Sequence, residues 1–131
     1  MSHFTRVRTQ VTQKPVLLRA LTALGYQTAT ATALTPRPRL EGYGGQSRQV
    51  DIVVRVPGGR GVGFLQPAPD QPFELVADWM VAGVEEQAFR RRVEQEYAAQ
   101  VAEDAARAAG WQDLVRTAQP DGTIVITGAR C

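Results

Sequence analysis

Apolar and polar positions along this chain switch between a period of two and a period near 3.6, and each switch marks an element. Residues 3–11 are rich in Thr, Val and Phe with polar alternation, the pattern of a half-buried strand. Lys14-Pro15 opens an amphipathic segment in which Val16, Leu17, Leu18, Ala20, Leu21 and Leu24 supply one broad apolar face. Pro15 suits the first turn of that helix and Gly25 its end. Thr alternating with Ala through residues 26–35 predicts a second strand, followed by Pro36-Arg37-Pro38-Arg39 and Glu41-Gly42-Tyr43-Gly44-Gly45-Gln46, read together as a flexible loop over 36–49.

The clearest strand is 50–56, with Val50, Ile52, Val54 and Val56 on one face and Asp51, Val53 and Arg55 on the other. Pro57-Gly58-Gly59 turns it into a strand at 62–65. After a second turn, Phe73, Leu75, Ala77 and Trp79 alternate with Glu74, Val76 and Asp78. Successive strands of this kind predict an antiparallel meander. Residues 84–109 carry the strongest helical signal, a stripe of Phe89, Val93, Tyr97, Val101, Ala105 and Ala108, with Glu85 and Glu86 at the positive end of the helix dipole and Arg107 at the negative end. Gly110 stops it, and Pro120-Asp121-Gly122 between 114–118 and 123–127 reads as a closing hairpin.

This order describes one α+β domain over 1–131, a two-layer sandwich with two helices on one face of a mainly antiparallel sheet, ferredoxin-like or closely related. Asp51, Arg55, Glu74 and Asp78 are then expected on the face away from the helices, open to a partner.

Composition narrows the function classes. The 131 residues are 44% apolar and 21% charged, which excludes an intrinsically disordered chain. A formal charge of only +2 argues against nucleic acid, and the near-complete use of Arg among the basic residues, with Lys14 the one Lys, is a compositional bias as much as a recognition signal. Cys131 is the only cysteine, so no intramolecular disulfide forms and no second thiol can join a metal site. No apolar run approaches the roughly 18 residues that span a bilayer, and the start of the chain lacks the layout of a secretory signal. A cytoplasmic location with no membrane association is expected.

Candidate chemistry is sparse. His3 is the sole histidine, and a general-base role would require a carboxylate partner, Asp51 or Asp78, on a neighbouring strand. No nucleophile is spaced to join it, and no ligand set supports a metal or cofactor. Gly58-Gly59-Arg60-Gly61-Val62-Gly63 resembles a phosphate cradle, but a strand rather than a helix follows, so it reads as a hairpin turn. Arg90-Arg91-Arg92 spreads around its helix at about 100° per residue, with Glu86 four residues before Arg90 to pair with it. Tyr43, flanked by glycines, is an aromatic positioned to insert into a partner's pocket.

Met1-Ser2-His3-Phe4-Thr5, Leu24-Gly25-Tyr26, Val50-Asp51-Ile52-Val53-Val54-Arg55, Phe73-Glu74-Leu75-Val76-Ala77-Asp78-Trp79 and Tyr97 together carry a resemblance. The chain resembles the small domain-of-unknown-function family that includes an uncharacterised conserved reading frame of cyanobacterial and plastid genomes. The resemblance implies no catalytic residue. It implies company instead: relatives encoded beside an AAA-type ATPase, a small ferredoxin-like protein and another small protein.

The leading expectation is therefore a non-enzymatic interaction or adaptor component of a multi-protein assembly, its surface formed by Tyr43, Asp51, Arg55, Glu74 and Asp78. A small enzyme or ligand-binding protein using His3 with Asp51 or Asp78 is the alternative, and a nucleic-acid binder the third. Homodimerisation through an exposed strand edge is compatible with all of them.

Overall fold

The computed structural model describes residues 4–32 and 36–130. His3 and Cys131 lie outside the described residues, as does the 33–35 part of the second strand expected from sequence.

The main sheet contains β1 (Thr5–Arg8), β2 (Gln27–Thr30), β5 (Ile52–Arg55), β6 (Val62–Leu65) and β7 (Glu74–Ala77), after the small strands β3 (Arg39–Glu41) and β4 (Ser47–Gln49). Its order is β1-β7-β6-β5-β2, with every neighbouring pair antiparallel. The edge strands β1 and β2 thus run parallel to one another and are joined by helix α1 (Lys14–Ala23), with the β5–β6–β7 meander filling the gap between them. This is a split β–α–β unit. Helix α2 (Glu86–Ala108) packs beside α1 on the same face. The α+β two-layer sandwich read from the pattern is the architecture observed.

Local chemistry accounts for the helix ends. Tyr26 N–H donates to Leu21 O and Gly25 N–H to Thr22 O, with Gly25 at φ +89°, so the αL glycine closes α1 in a Schellman motif. The side chain of Gln13 does not cap the start of α1. The Tyr97 hydroxyl on α2 instead accepts the N–H groups of Thr12 and Gln13, at 3.3 and 3.0 Å. Glu85 caps α2 by accepting from Gln87 N and Ala88 N, and these amides hold its carboxyl below the usual range.

The interior lies between sheet and helices. Leu17, Leu21, Ile52, Val54, Phe64, Phe73, Leu75, Phe89 and Val93 are all buried there. Two features depart from the sequence pattern. Val50, expected on the same face as Ile52, is turned to the opposite one by a bend at Asp51 and packs with Leu40 and Val76. It sits over Gly63, where a Cβ would come 2.8 Å from Val50 Cγ1, so only glycine admits this approach. The helical stripe also runs out early. Phe89, Val93 and Tyr97 are buried, but Ala105 and Ala108 are exposed, and no described residue after Ala99 is buried.

Beyond that point β8 (Trp111–Ala118) and β9 (Ile124–Arg130) form their own two-stranded sheet against α2. It is longer than the expected hairpin, and a bulge between Gln112 and Val115 places Asp113 at φ +53°. Segment 36–49, read as a loop, contains the β3–β4 hairpin with a helical turn, Tyr43–Gly45, at its tip. Strands of three residues leave too short an alternation for the pattern to register.

Candidate interaction surface

The β3–β4 hairpin alters the outer face of the sheet. Leu40, buried to 1% exposure, drives into a second small core with Val50 and Val76, flanked by Phe4, Val53 and Leu65. The sheet face expected to lie open to a partner is therefore covered across part of its width by the chain's own hairpin. Burying a leucine and two valines is the reason, since these apolar groups would otherwise face water.

The five surface residues singled out from sequence separate into two groups. Strands β5 and β7 run in the same direction, so Asp51 and Glu74 lie at one end and Arg55 and Asp78 at the other. At the first end Asp51 is a clamp: Oδ2 accepts Gln66 N–H at 2.6 Å while Oδ1 pairs with Arg37 at 3.2 Å. Glu74 pairs with Arg6 of β1. Both carboxylates tie strands and connections together.

At the second end Asp78 has 2% exposure. Its Oδ2 accepts Tyr43 N–H at 3.1 Å and its Oδ1 accepts Met80 N–H at 3.3 Å. One buried carboxylate thus holds the hairpin tip and the turn after β7 side by side. Gly42 permits the approach, because a Cβ there would lie 2.8 Å from the Phe4 ring and 3.3 Å from Asp78 Oδ2. The side chains this arrangement carries point outward: Tyr43 is 62% exposed and Met80 74%. The turn joining β5 to β6 completes the rim. Arg60 N–H donates to Val81 O at 2.7 Å and Gly61 N–H to Ala82 O at 3.0 Å. As expected, then, the glycine-rich stretch is a hairpin turn: residues 58–61 join β5 to β6, and Val62 and Gly63 open β6.

Arg55 is exposed and makes no ion pair among the described residues. It borders a groove of about 490 Å³ with Ala29, Val53, Arg39, Glu41 and Arg60. The Arg39 side chain is held by Ser47 Oγ, which accepts from Nε and Nη2 at 3.1 and 2.9 Å, and Arg60 faces Glu41 at 3.4 Å. Met80, Arg39, Glu41 and Arg60 were not singled out from sequence as surface residues, although the alternation of Arg39 and Glu41 about Leu40 is the one trace of their shared face.

A second polar cluster lies between α2 and the terminal hairpin. Arg116 donates to Glu103 through Nη2 at 2.7 Å and Nε at 3.1 Å, and to Glu96 through Nη1 at 2.7 Å. Glu96 also accepts from Gln100 at 2.9 Å. The two carboxylates push the Arg116 pKa up, and hydrogen bonding from Arg116 pulls that of Glu103 down. Among the described residues no group of His, Cys, Asp and Glu is arranged to hold a metal ion, and no helix is long and apolar enough to cross a membrane.

With this geometry in view, comparison with known families is decisive at one point: the model described as Protein of unknown function (DUF1257) matches residues 20–127. The chain belongs to the DUF1257 family. The match runs from α1 into β9, so the DUF1257 region takes in the hairpin tip, the groove, Asp51, Asp78 and the Arg116 cluster, and leaves out β1. The resemblance drawn from sequence motifs to a family of unknown function is thereby borne out. No curated protein and no solved structure matches the chain.

Proposed function

We propose that this protein is a non-enzymatic adaptor in a multi-protein assembly, acting in the cytoplasm, and that it engages a protein partner through the rim carrying Tyr43 and Met80. The observation that carries this reading is the use of a buried carboxylate, Asp78, to fix two adjacent backbone segments whose large side chains are left in water. Tyr and Met are enriched at protein interfaces, and a tyrosine held on an anchored backbone has little freedom left to lose on binding. The partners implied by the sequence resemblance, an AAA-type ATPase and a small ferredoxin-like protein, are the first to test.

The enzyme alternative is weaker on the same observation. Both Asp78 oxygens accept backbone amides and both Asp51 oxygens are engaged, so each carboxylate has a role in holding the fold that needs no chemistry to account for it.

The test is co-purification of the tagged protein from its own cells, as wild type and as the Tyr43→Ala, Met80→Ala double variant. Both side chains are exposed, so circular dichroism should show the variant folded. The reading expects a stoichiometric protein partner that the variant loses. A folded variant that retains the partner would overturn it.

A further inference from the structure

We infer that the groove bordered by Arg39, Arg55 and Arg60 receives an acidic, extended peptide segment of the protein partner. The inference rests on the adaptor reading and assigns the chemistry of what the adaptor binds.

The charge balance of the groove is the first argument. Three guanidinium groups border it against one carboxylate, Glu41, and that carboxylate is 70% exposed and 3.4 Å from Arg60. Arg55 has no ion-pair partner among the described residues, and Arg39 is bonded to a neutral hydroxyl through Nε and Nη2 only. Arginine offers a planar fork that matches a carboxylate in bidentate fashion, so unneutralised arginines around one concavity are complementary to acidic side chains.

Shape is the second argument. The floor is made by Ala29 and Val53, a directly opposed pair on β2 and β5, and is small and apolar. The 490 Å³ groove continues into a second hollow of about 270 Å³ that shares Arg39, Glu41 and Arg60 and reaches Gly42, Gly45 and Gln46 at the hairpin tip. The channel thus runs from the sheet edge to the backbone beside Tyr43. An elongated depression of this form suits an extended chain better than a compact metabolite. Its continuity with the Tyr43–Met80 rim lets one partner span both. Nucleic acid fits less well, because the formal charge of the whole chain is only +2 and a polyanion gains most from a strongly basic surface.

The walls are built to stay in place. Arg60 is fixed through its backbone to Val81, and Gly59 packs so tightly that a Cβ would come 2.2 Å from Ala82 O.

The experiment is fluorescence anisotropy of a labelled oligoglutamate peptide with the full chain, using an oligolysine peptide and a single-stranded oligonucleotide as competing probes. Arg55→Glu is compared with Arg92→Glu, an identical charge change on the exposed side of α2. The inference expects oligoglutamate binding that weakens about tenfold in Arg55→Glu and little in Arg92→Glu. Equal weakening in both variants, absence of oligoglutamate binding, or tighter binding of the oligonucleotide would overturn it. If the partner is captured through Tyr43 and Met80 but Arg55→Glu retains it fully, the groove assignment fails and the adaptor reading stands.

Discussion

Removing Arg116 should detach the terminal hairpin from α2 while leaving the main sheet folded. Arg116→Ala strips Glu96 and Glu103 of their cationic partner, and their side chains are only 11% and 14% exposed. Breaking a buried pair in this way costs about 3–5 kcal/mol. Arg116 is 30% exposed, so solvent screens part of the interaction, and Gln100 still satisfies one Glu96 oxygen. We take about 2–3 kcal/mol as the expected loss, which corresponds to roughly 30–150-fold in the local opening equilibrium. The apolar contacts of the hairpin cannot absorb it, because none of its described residues is buried. Native-state hydrogen exchange provides the assay. Amides of β8 and β9 should exchange faster by about that factor, while those of β5, β6 and β7 keep their protection. Acid should mimic the substitution. The Glu103 pKa is lowered in the fold, so its contribution is complete above the ordinary carboxylate value of about 4.3 and disappears as pH falls through the depressed value. The hairpin should therefore stay docked at about pH 5 and loosen below about pH 4. Replacing all three charges by Gln, Gln and Met should recover much of the loss. An unchanged β8–β9 exchange rate in Arg116→Ala, or an equal acceleration in every strand, would refute the reasoning.

Three further substitutions probe the surface from beneath. Leu40→Ala empties the plug under the β3–β4 hairpin and should cost about 2–4 kcal/mol in chemical denaturation, with early loss of protection over 39–49. Gly59→Ala drives a Cβ into the Ala82 carbonyl, and since both sides are backbone the expected cost is about 2–4 kcal/mol, read as a lowered Tm. Asp78→Ala leaves the amides of Tyr43 and Met80 without their acceptor, which should cost about 2–3 kcal/mol and accelerate exchange at those two amides first.

The large features of the fold were legible from the sequence because each rests on local periodicity. Phe89, Val93 and Tyr97 recur at helical spacing, and Leu75 and Ala77 alternate with Glu74 and Val76. Pro15 and Gly25 mark the ends of α1 by conformational chemistry that acts within a few residues. Other features arise from contacts between distant segments. Val50 leaves its alternating face because Leu40 and Val76 offer it a second core across Gly63. The β3–β4 hairpin has only three residues per strand and owes its position to Leu40, whose partner Val76 lies far along the chain. The same limit applies to the surface. Tyr43 stood out as an aromatic among glycines, but its neighbour Met80 is brought to it by Asp78, and no spacing in the sequence announces that meeting. Arg116 likewise carries no periodic signal that would pair it with Glu96 and Glu103.

Site-specific photocrosslinking in cells tests the adaptor account most directly. With p-benzoylphenylalanine placed in turn at Tyr43, at Met80 and at Thr22, an exposed position on α1, the account predicts one discrete crosslinked protein, the same for 43 and 80 and absent at 22. Products equal at all three positions, or none at 43 and 80 in a folded, expressed protein, would contradict it.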